Sequence, residues 1–448
     1  MKKARVFLLL VLVYSAPSCS LFRAKVAPYP GGVGFPLEEA GRVTVEGKII
    51  QTMVADEEKI YLATDNGRLY CLDGKDQKVI WTYESEAAFS CPPAVGKERL
   101  FVFDREGLVT CLDKNGKVGW KSKIEGPAPA SLSQDQNALY VGTQEGVVLA
   151  LSPNSGERLW QFAAGGAVMS EALVWEGKVV CASQDGNIYI LSPRGRVRNV
   201  VKVGSPILVT PFIDNSRVYV GTEDSVFHCF DLRRQRRLWK IKLGGKILAP
   251  PLADDRHVFF VASNCVLFCL DKRSGEIQWW YALPSLSRYE LEFSDSKIIV
   301  SSSSPKLICL DRKSGEEVGS YDAGSELRSN PLWLDPYLVT TLYDQRENKG
   351  SVVFLHQEVR VQLGASLPSP QPVGTEISFT ASAVGFYLPK YEFFLRRDGE
   401  KTVVQKESAR NTWVWFPDKE GTCTVGVRVS DGKRERETEI LFEIIKVK

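Results

Sequence analysis

Three features of the 448-residue sequence predict its fold class. An apolar run ending in Leu-Asp or Leu-Ser, followed by a turn, returns eight times at nearly constant spacing. The run before each anchor is apolar without alternation, as in Leu267, Phe268, Cys269 and Leu270, so the sheet it belongs to is covered on both faces. The last 91 residues abandon this period and hold seven short strand-like segments separated by turn residues. Four-stranded units of about forty residues with both faces covered are propeller blades, and seven short strands in about a hundred residues make a two-sheet sandwich. The expected architecture is all-β: an eight-bladed β-propeller followed by an immunoglobulin-like β-sandwich.

At the amino terminus Lys2, Lys3 and Arg5 precede nine largely apolar residues, 6–14, and the small-residue stretch Ser15, Ala16, Pro17, Ser18. Nine residues fall short of the roughly 20 that span a bilayer, so residues 1–18 read as a secretory signal peptide outside the fold. Residues 19–40, rich in Pro and Gly, read as a flexible tether.

The propeller is assigned to residues 41–357. Its anchors are Asp73, Asp113, Ser152, Ser192, Asp231, Asp271, Asp311 and, in degenerate form, His356, spaced 40, 39, 40, 39, 40, 40 and 45 residues apart. Each copy reads as four strands. The second and third are joined by a tight turn whose glycine (Gly67, Gly107, Gly146, Gly186) takes positive φ. A second turn follows the anchor, whose Asp or Ser side chain is placed to bond the turn backbone. The fourth strand carries Trp81, Trp120, Trp160, Trp239 or Trp279, seven or eight residues beyond the anchor, and Val200 and Gly319 interrupt the series. The eighth copy has no fourth strand after His356. Residues 42–45 are therefore expected to complete it beside residues 351–355, with residues 49–55 opening the first copy and closing the ring.

Cys71, Cys111, Cys229, Cys269 and Cys309 each stand two residues before an anchor. One position repeated in sheets about 10 Å apart cannot form disulfides, which need Cα atoms within about 7 Å. These thiols read as small buried hydrophobes. Cys265 occupies a turn position and reads as the accessible one, while Cys91 and Cys181 have no evident partners.

The 57 Lys and Arg against 54 Asp and Glu leave +3, and three of those positives lie in the leader, which argues against a general nucleic-acid binder. No catalytic, metal-binding or cofactor-binding residue is assigned. His228, His257 and His356 are the only histidines, and no Gly-x-Ser-x-Gly, His-Glu-x-x-His or phosphate loop occurs. The candidate binding feature is Arg233, Arg234, Arg236 and Arg237, in the turn after Asp231. It reads as a docking patch for an anionic partner or lipid headgroups, with a solvated hairpin as the plainer alternative. Irregular loops are expected at residues 301–305 and 343–349, where partner contacts tend to sit.

The second domain, residues 358–448, is expected to place strands at 359–363, 375–383, 391–397, 402–405, 412–416, 422–430 and 435–445. Pro372, Val373 and Gly374, then Tyr391 to Phe393, Asp398 and Gly399, and Trp413 to Trp415 resemble the triple-tyrosine immunoglobulin-like domain that follows propellers in some bacterial hybrid sensors. Cys423 stands where that family commonly has Tyr.

The leucine-aspartate, serine-glycine and tryptophan pattern resembles the PQQ-type quinoprotein repeat, and eight such copies behind an export signal resemble the BamB family of outer-membrane assembly propellers. Ala16 and Ser18 before Cys19 resemble a lipoprotein cleavage box, which implies lipid attachment at Cys19. The resemblance implies a non-catalytic scaffold acting through protein–protein contacts, with outer-membrane assembly components as partners and no nucleic acid. Because Ser20 follows Cys19, it also implies a membrane-anchored outer-membrane lipoprotein facing the periplasm. An extracellular or surface protein that binds glycan or peptide is the alternative. A PQQ-dependent dehydrogenase is the outsider, because the adjacent Cys pair and calcium ligands of those enzymes have no counterpart here.

Overall fold

The computed structural model describes residues 34–446 except 51, 125–131, 387 and 433. The leader, Cys19 and the tether up to residue 33 lie outside the described residues. Those described form strands and no helix, and none of their segments is a helix long and apolar enough to cross a membrane. The described residues divide into two compact units, one built from Gly41–Glu317 and Asp322–Phe354, the other from residues 34–40, Val318–Tyr321 and residues from Leu355 onward.

Eight four-stranded sheets follow one another. The first takes Val54–Asp56, Lys59–Ala63, Arg68–Asp73 and Lys78–Glu84 in chain order. The next six repeat this and end in the fourth strands Val118–Lys123, Arg158–Ala163, Val197–Lys202, Arg236–Lys242, Ile277–Ala282 and Glu317–Asp322. The anchors act as expected: Asp271 Oδ1 accepts from the backbone N–H of Arg273 and Ser274, both at 2.8 Å, and Asp311 repeats this with Lys313 and Ser314. The Asx turn satisfies backbone donors that a hairpin end would otherwise leave exposed.

The tryptophans join each sheet to the next. The indole Nε1 of Trp81, Trp120, Trp160, Trp239 and Trp279 donates to the carbonyl oxygen of Lys114, Pro153, Pro193, Lys272 and Arg312, each 33 residues on, at 2.9–3.2 Å. Under each ring lies a left-handed glycine of the next turn: Gly116, Gly156, Gly195, Gly275 and Gly315, with φ between 73 and 84°. A Cβ there would come within 2.5–2.8 Å of the ring. Opposite the indole, across the strand pair, stands Cys71, Cys111, Ala150, Cys229 or Cys269. A small side chain at this place makes room for the ring, which accounts for the recurring cysteine.

Register corrects one assignment. The fourth sheet, like the second, has a turn one residue shorter, so Ile190 pairs with Asn199 as Cys111 pairs with Trp120. Asn199, not Val200, holds the tryptophan place. Its counterpart in the next turn is Gln235, left-handed at φ 52° but not glycine. Gly319 does hold the place in the seventh sheet, and Phe35 lies against it. In the eighth it is Gly41, against Gln77. The tryptophan and the glycine beneath it are lost together.

Leu37–Glu46 pairs with Lys349–Gln357 as the fourth strand of the eighth sheet, longer than the expected 42–45. Val43 and Val45 share one core with Val352 and Phe354 and with Ile60 and Leu62 of the first sheet. The eighth sheet thus meets the first, and the hydroxyl of Ser301 bonds the carbonyl of Ser329 from the seventh to the eighth.

In the second unit all seven expected segments are strands, with Gln371–Pro372 added. A three-stranded sheet and a five-stranded sheet enclose one core that includes Phe379, Phe393, Trp415, Val425 and Phe442.

Candidate functional site

Most chemistry-bearing side chains of the propeller are occupied by structure. Burial pushes the thiols of Cys71 and Cys309 up to about 11 and those of Cys91, Cys181, Cys229 and Cys269 to about 12, so none is a poised thiolate. Cys265 is half-buried in a left-handed turn, φ 61°. Among the described residues no three His, Cys, Asp or Glu side chains come together in a way that could hold a metal ion. His228 is 4% exposed. Desolvation first, then the charges of Arg237 and Lys240, lower its imidazole to about 4, so it is neutral near pH 7. Asp254 forms a turn, accepting from the N–H of Arg256 and His257 at 2.8 and 2.6 Å.

The four candidate arginines are brought together at one end of the fifth sheet. Asp231 Oδ1 accepts the backbone N–H of Arg233 and Arg234 at 3.0 and 2.9 Å, Gln235 turns the chain, and Arg236 and Arg237 open the fourth strand. All four side chains are exposed. Arg233 reaches Glu176 of the preceding sheet through Nε at 3.1 Å and through Nη2, a contact that lowers the pKa of the Glu176 carboxyl.

This patch is part of a larger belt that motif reading missed. The neighbouring fourth strand and its turn add the exposed Arg194, Arg196, Arg198 and Lys202, and Lys240 and Lys242 extend the fifth-sheet row. Residues 193–246 hold twelve Lys and Arg against four Asp and Glu, a net +8 in a chain whose total is +3. A windowed charge count would have found it. The four carboxylates are already engaged: Asp214 by Lys272, Glu223 by Lys246, Asp224 by Thr222 and Asp231 in its turn. Of the ten exposed cations named, two meet a carboxylate within 4 Å among the described residues, Arg233 at Glu176 and Arg234 at Asp231. The two sheets share one apolar core, with Trp175 and Val201 against Ile213 and Leu232, so the belt runs across a packed junction. It is also the junction where Asn199 and Gln235 stand in the places of the tryptophan and the glycine, with Trp175 Nε1 donating to the carbonyl oxygen of Asn215 instead.

In the second unit a groove of about 570 Å³ is lined by Val361, Gln362, Leu363, Gly364, Thr380, Ser382 and Thr438. Its polar groups are neutral amide and hydroxyls.

The family model described as outer membrane protein assembly factor BamB matches residues 38–103, 84–281 and 192–333. The assembly factor BamB of Nitrosomonas eutropha is 26% identical over 109 residues, 24% of this chain and 27% of that protein. A quinoprotein ethanol dehydrogenase of Pseudomonas aeruginosa is 33% identical over 89 residues, 19% of this chain and 13% of that one. The chain therefore spans about a quarter or less of the length of these curated relatives. The crystal structure of BamB from Moraxella catarrhalis superposes with a TM-score of 0.62 at 17% identity, covering 72% of this chain and 98% of that one. It shares the propeller fold. With a family match that runs across residues 38–333 of the repeat region, this chain belongs to the outer membrane protein assembly factor BamB family.

Proposed function

We propose that this protein is a non-catalytic scaffold of the cell envelope that works through protein–protein contacts, with outer-membrane assembly components as its partners. The observation that carries the reading is the belt on the fourth and fifth sheets: ten exposed cations, eight of which meet no carboxylate within 4 Å among the described residues. Arg233, Arg234, Arg236 and Arg237 are its binding residues. Family membership supports the same reading, since relatives bear the assembly-factor name. The dehydrogenase relatives share the repeat, and a shared repeat does not by itself carry a function. Residues 1–18 serve as the export signal, Cys19 as the lipid anchor on a tether that ends before the strand Leu37–Glu46 rather than at residue 40, and the domain from residue 358 as an immunoglobulin-like binding module.

A photo-crosslinking amino acid placed in cells at Arg236, and separately at Lys313, tests this. The expected result is an outer-membrane assembly component captured from the membrane fraction, and from the soluble periplasm when Cys19→Ala is present. Capture of glycan or matrix ligands through the neutral groove of the second unit is the outcome that favours the surface-binding alternative. Absence of any protein adduct from every position rejects the scaffold.

A further inference from the structure

We propose that the belt on the fourth and fifth sheets docks an acidic, extended segment of a partner protein. This rests on the scaffold reading and names the chemistry of the contact.

The geometry is linear. The strands Val197–Lys202 and Arg236–Lys242 are the last of their sheets, so each presents an open edge with no further strand beyond it. Alternate residues of a strand share a face and lie about 6.6 Å apart, which places Lys240 and Lys242 in one row at the repeat of an extended chain's alternate side chains. Such a segment with a carboxylate at every second residue matches this row. Neutral or apolar side chains interleave the cations: Val197, 47% exposed, stands between Arg196 and Arg198, and Ile241 between Lys240 and Lys242, while the strands bulge at Arg198 and Leu238. A peptide can satisfy this alternation with its own side chains.

Charge separates a peptide from broader polyanions. The remaining sequence outside residues 193–246 has a net charge of −5, since +8 of the +3 total lies in the belt. A bilayer or a long nucleic acid extends beyond a local patch and feels that opposing charge, whereas a short acidic segment need meet only the belt. Base stacking has no platform on the belt strands either, because Trp239 is docked over Gly275 with its Nε1 bonded. The absence of a Trp–Gly dock at this junction adds the second observation. Where five other junctions seat a fourth-strand indole over a turn glycine, this one has Asn199 and Gln235 in those places, neither of which carries charge to compensate the cations beside it, and its indole bond runs instead from Trp175 Nε1 to the carbonyl oxygen of Asn215.

The test uses the full chain and a fluorescent peptide of about twelve residues alternating Glu and Thr, longer than the strand Arg236–Lys242, with fluorescence anisotropy as the readout. Binding is expected to weaken at least about tenfold on raising salt from roughly 50 to 200 mM. Arg196→Glu with Arg198→Glu, and Arg236→Glu with Arg237→Glu, are each expected to weaken it about tenfold or more. Lys75→Glu with Lys313→Glu, exposed cations of other sheets, is expected to leave it unchanged. If a charge-reversed variant fails to fold by circular dichroism, the Arg→Gln pairs replace it and should weaken binding in the same order. Equal loss in the control variant, no binding by the Glu-Thr peptide, or binding confined to phosphatidylglycerol vesicles overturns the proposal. Partner crosslinks from Lys313 together with no peptide binding would remove the belt and leave the scaffold standing, whereas peptide binding without any cellular crosslink would do the reverse.

Discussion

His228 illustrates how a single side chain couples the belt to stability. Its ring stacks on Phe230 with centroids 5.7 Å apart, Nε2 lies 3.3 Å from Thr222 Oγ1, and Nδ1 has no partner. Burial, aided by Arg237 and Lys240 and opposed by Asp224, lowers its pKa from 6.5 to about 4. The unfolded chain then binds the extra proton first. The stabilising contribution is fully present above about pH 6.5, is lost as pH falls towards 4, and amounts to at most about 3 kcal/mol. Urea unfolding should show this loss in the native protein, and His228→Phe, which keeps the stack on Phe230, should flatten it in that window. An unchanged pH profile in the variant would assign the acid sensitivity to other groups. The depressed aspartates Asp185, Asp224, Asp271 and Asp311 have folded pKa values below their usual ones, so their contributions disappear at lower pH.

At the scale of the element, the unit of stability is the turn glycine with the tryptophan above it. Each indole donates one hydrogen bond, worth about 1 kcal/mol net. Each also meets an aromatic of the second strand, as Trp239 meets Tyr219 at 6.0 Å and Trp279 meets Phe259 at 5.8 Å. The glycine is required twice over, by its left-handed backbone and by the ring. Two substitutions separate these causes. Gly177 is left-handed at φ 69° with nothing within 4 Å of a built Cβ, while at Gly275 (φ 77°) that Cβ would lie 2.6 Å from Trp239. Gly177→Ala is expected to cost about 1 kcal/mol and Gly275→Ala about 3 kcal/mol, the excess being the clash. Denaturant midpoints measure both, and equal losses would show that the ring yields freely. The same logic explains the paired losses: without an indole above it, the turn tolerates Gln77 or Gln235, each at φ 52°.

For the whole molecule, the amino-terminal strand decides whether the ring is closed. Val43 and Val45, 7% and 3% exposed, sit in the core shared by the eighth and first sheets. Changing both to Asp buries two unpaired charges, and a loss of at least about 4 kcal/mol is expected. Limited proteolysis should then cut first in the eighth or first sheet, exposing Val352 and Phe354, rather than in the fifth. Cleavage spread evenly over all sheets would mean that closure contributes little beyond local packing. In the second unit an outward aromatic is sealed differently: Phe394 lies over Gly426 with the Lys401 ammonium 3.6 Å from its ring centroid, inside a lattice of Arg396 and Lys401 with Glu437 and Glu439.

The sequence by itself determined what repeats. Period and anchors are local rules read eight times over, and the tryptophans and the place of the cysteines five times each, so repetition averages away the noise of any one segment. It also marked Arg233 to Arg237, because a dense run of like charge is legible without coordinates. What it could not settle were relations between distant residues. Counting from Ser192 puts Val200 in the tryptophan place because the count ignores that this turn is one residue shorter, and only strand register with Ile190 puts Asn199 there. The glycine beneath each indole lies some 35 residues further on, so its second requirement is invisible until the sheets are packed. Arg194 to Lys202 and Arg236 to Lys242 are separate stretches of chain, and they become one belt because the fourth and fifth sheets share a core. Hydrophobic burial along each strand is encoded locally, whereas the neighbours of a charge at the surface are chosen by which sheets that burial brings together.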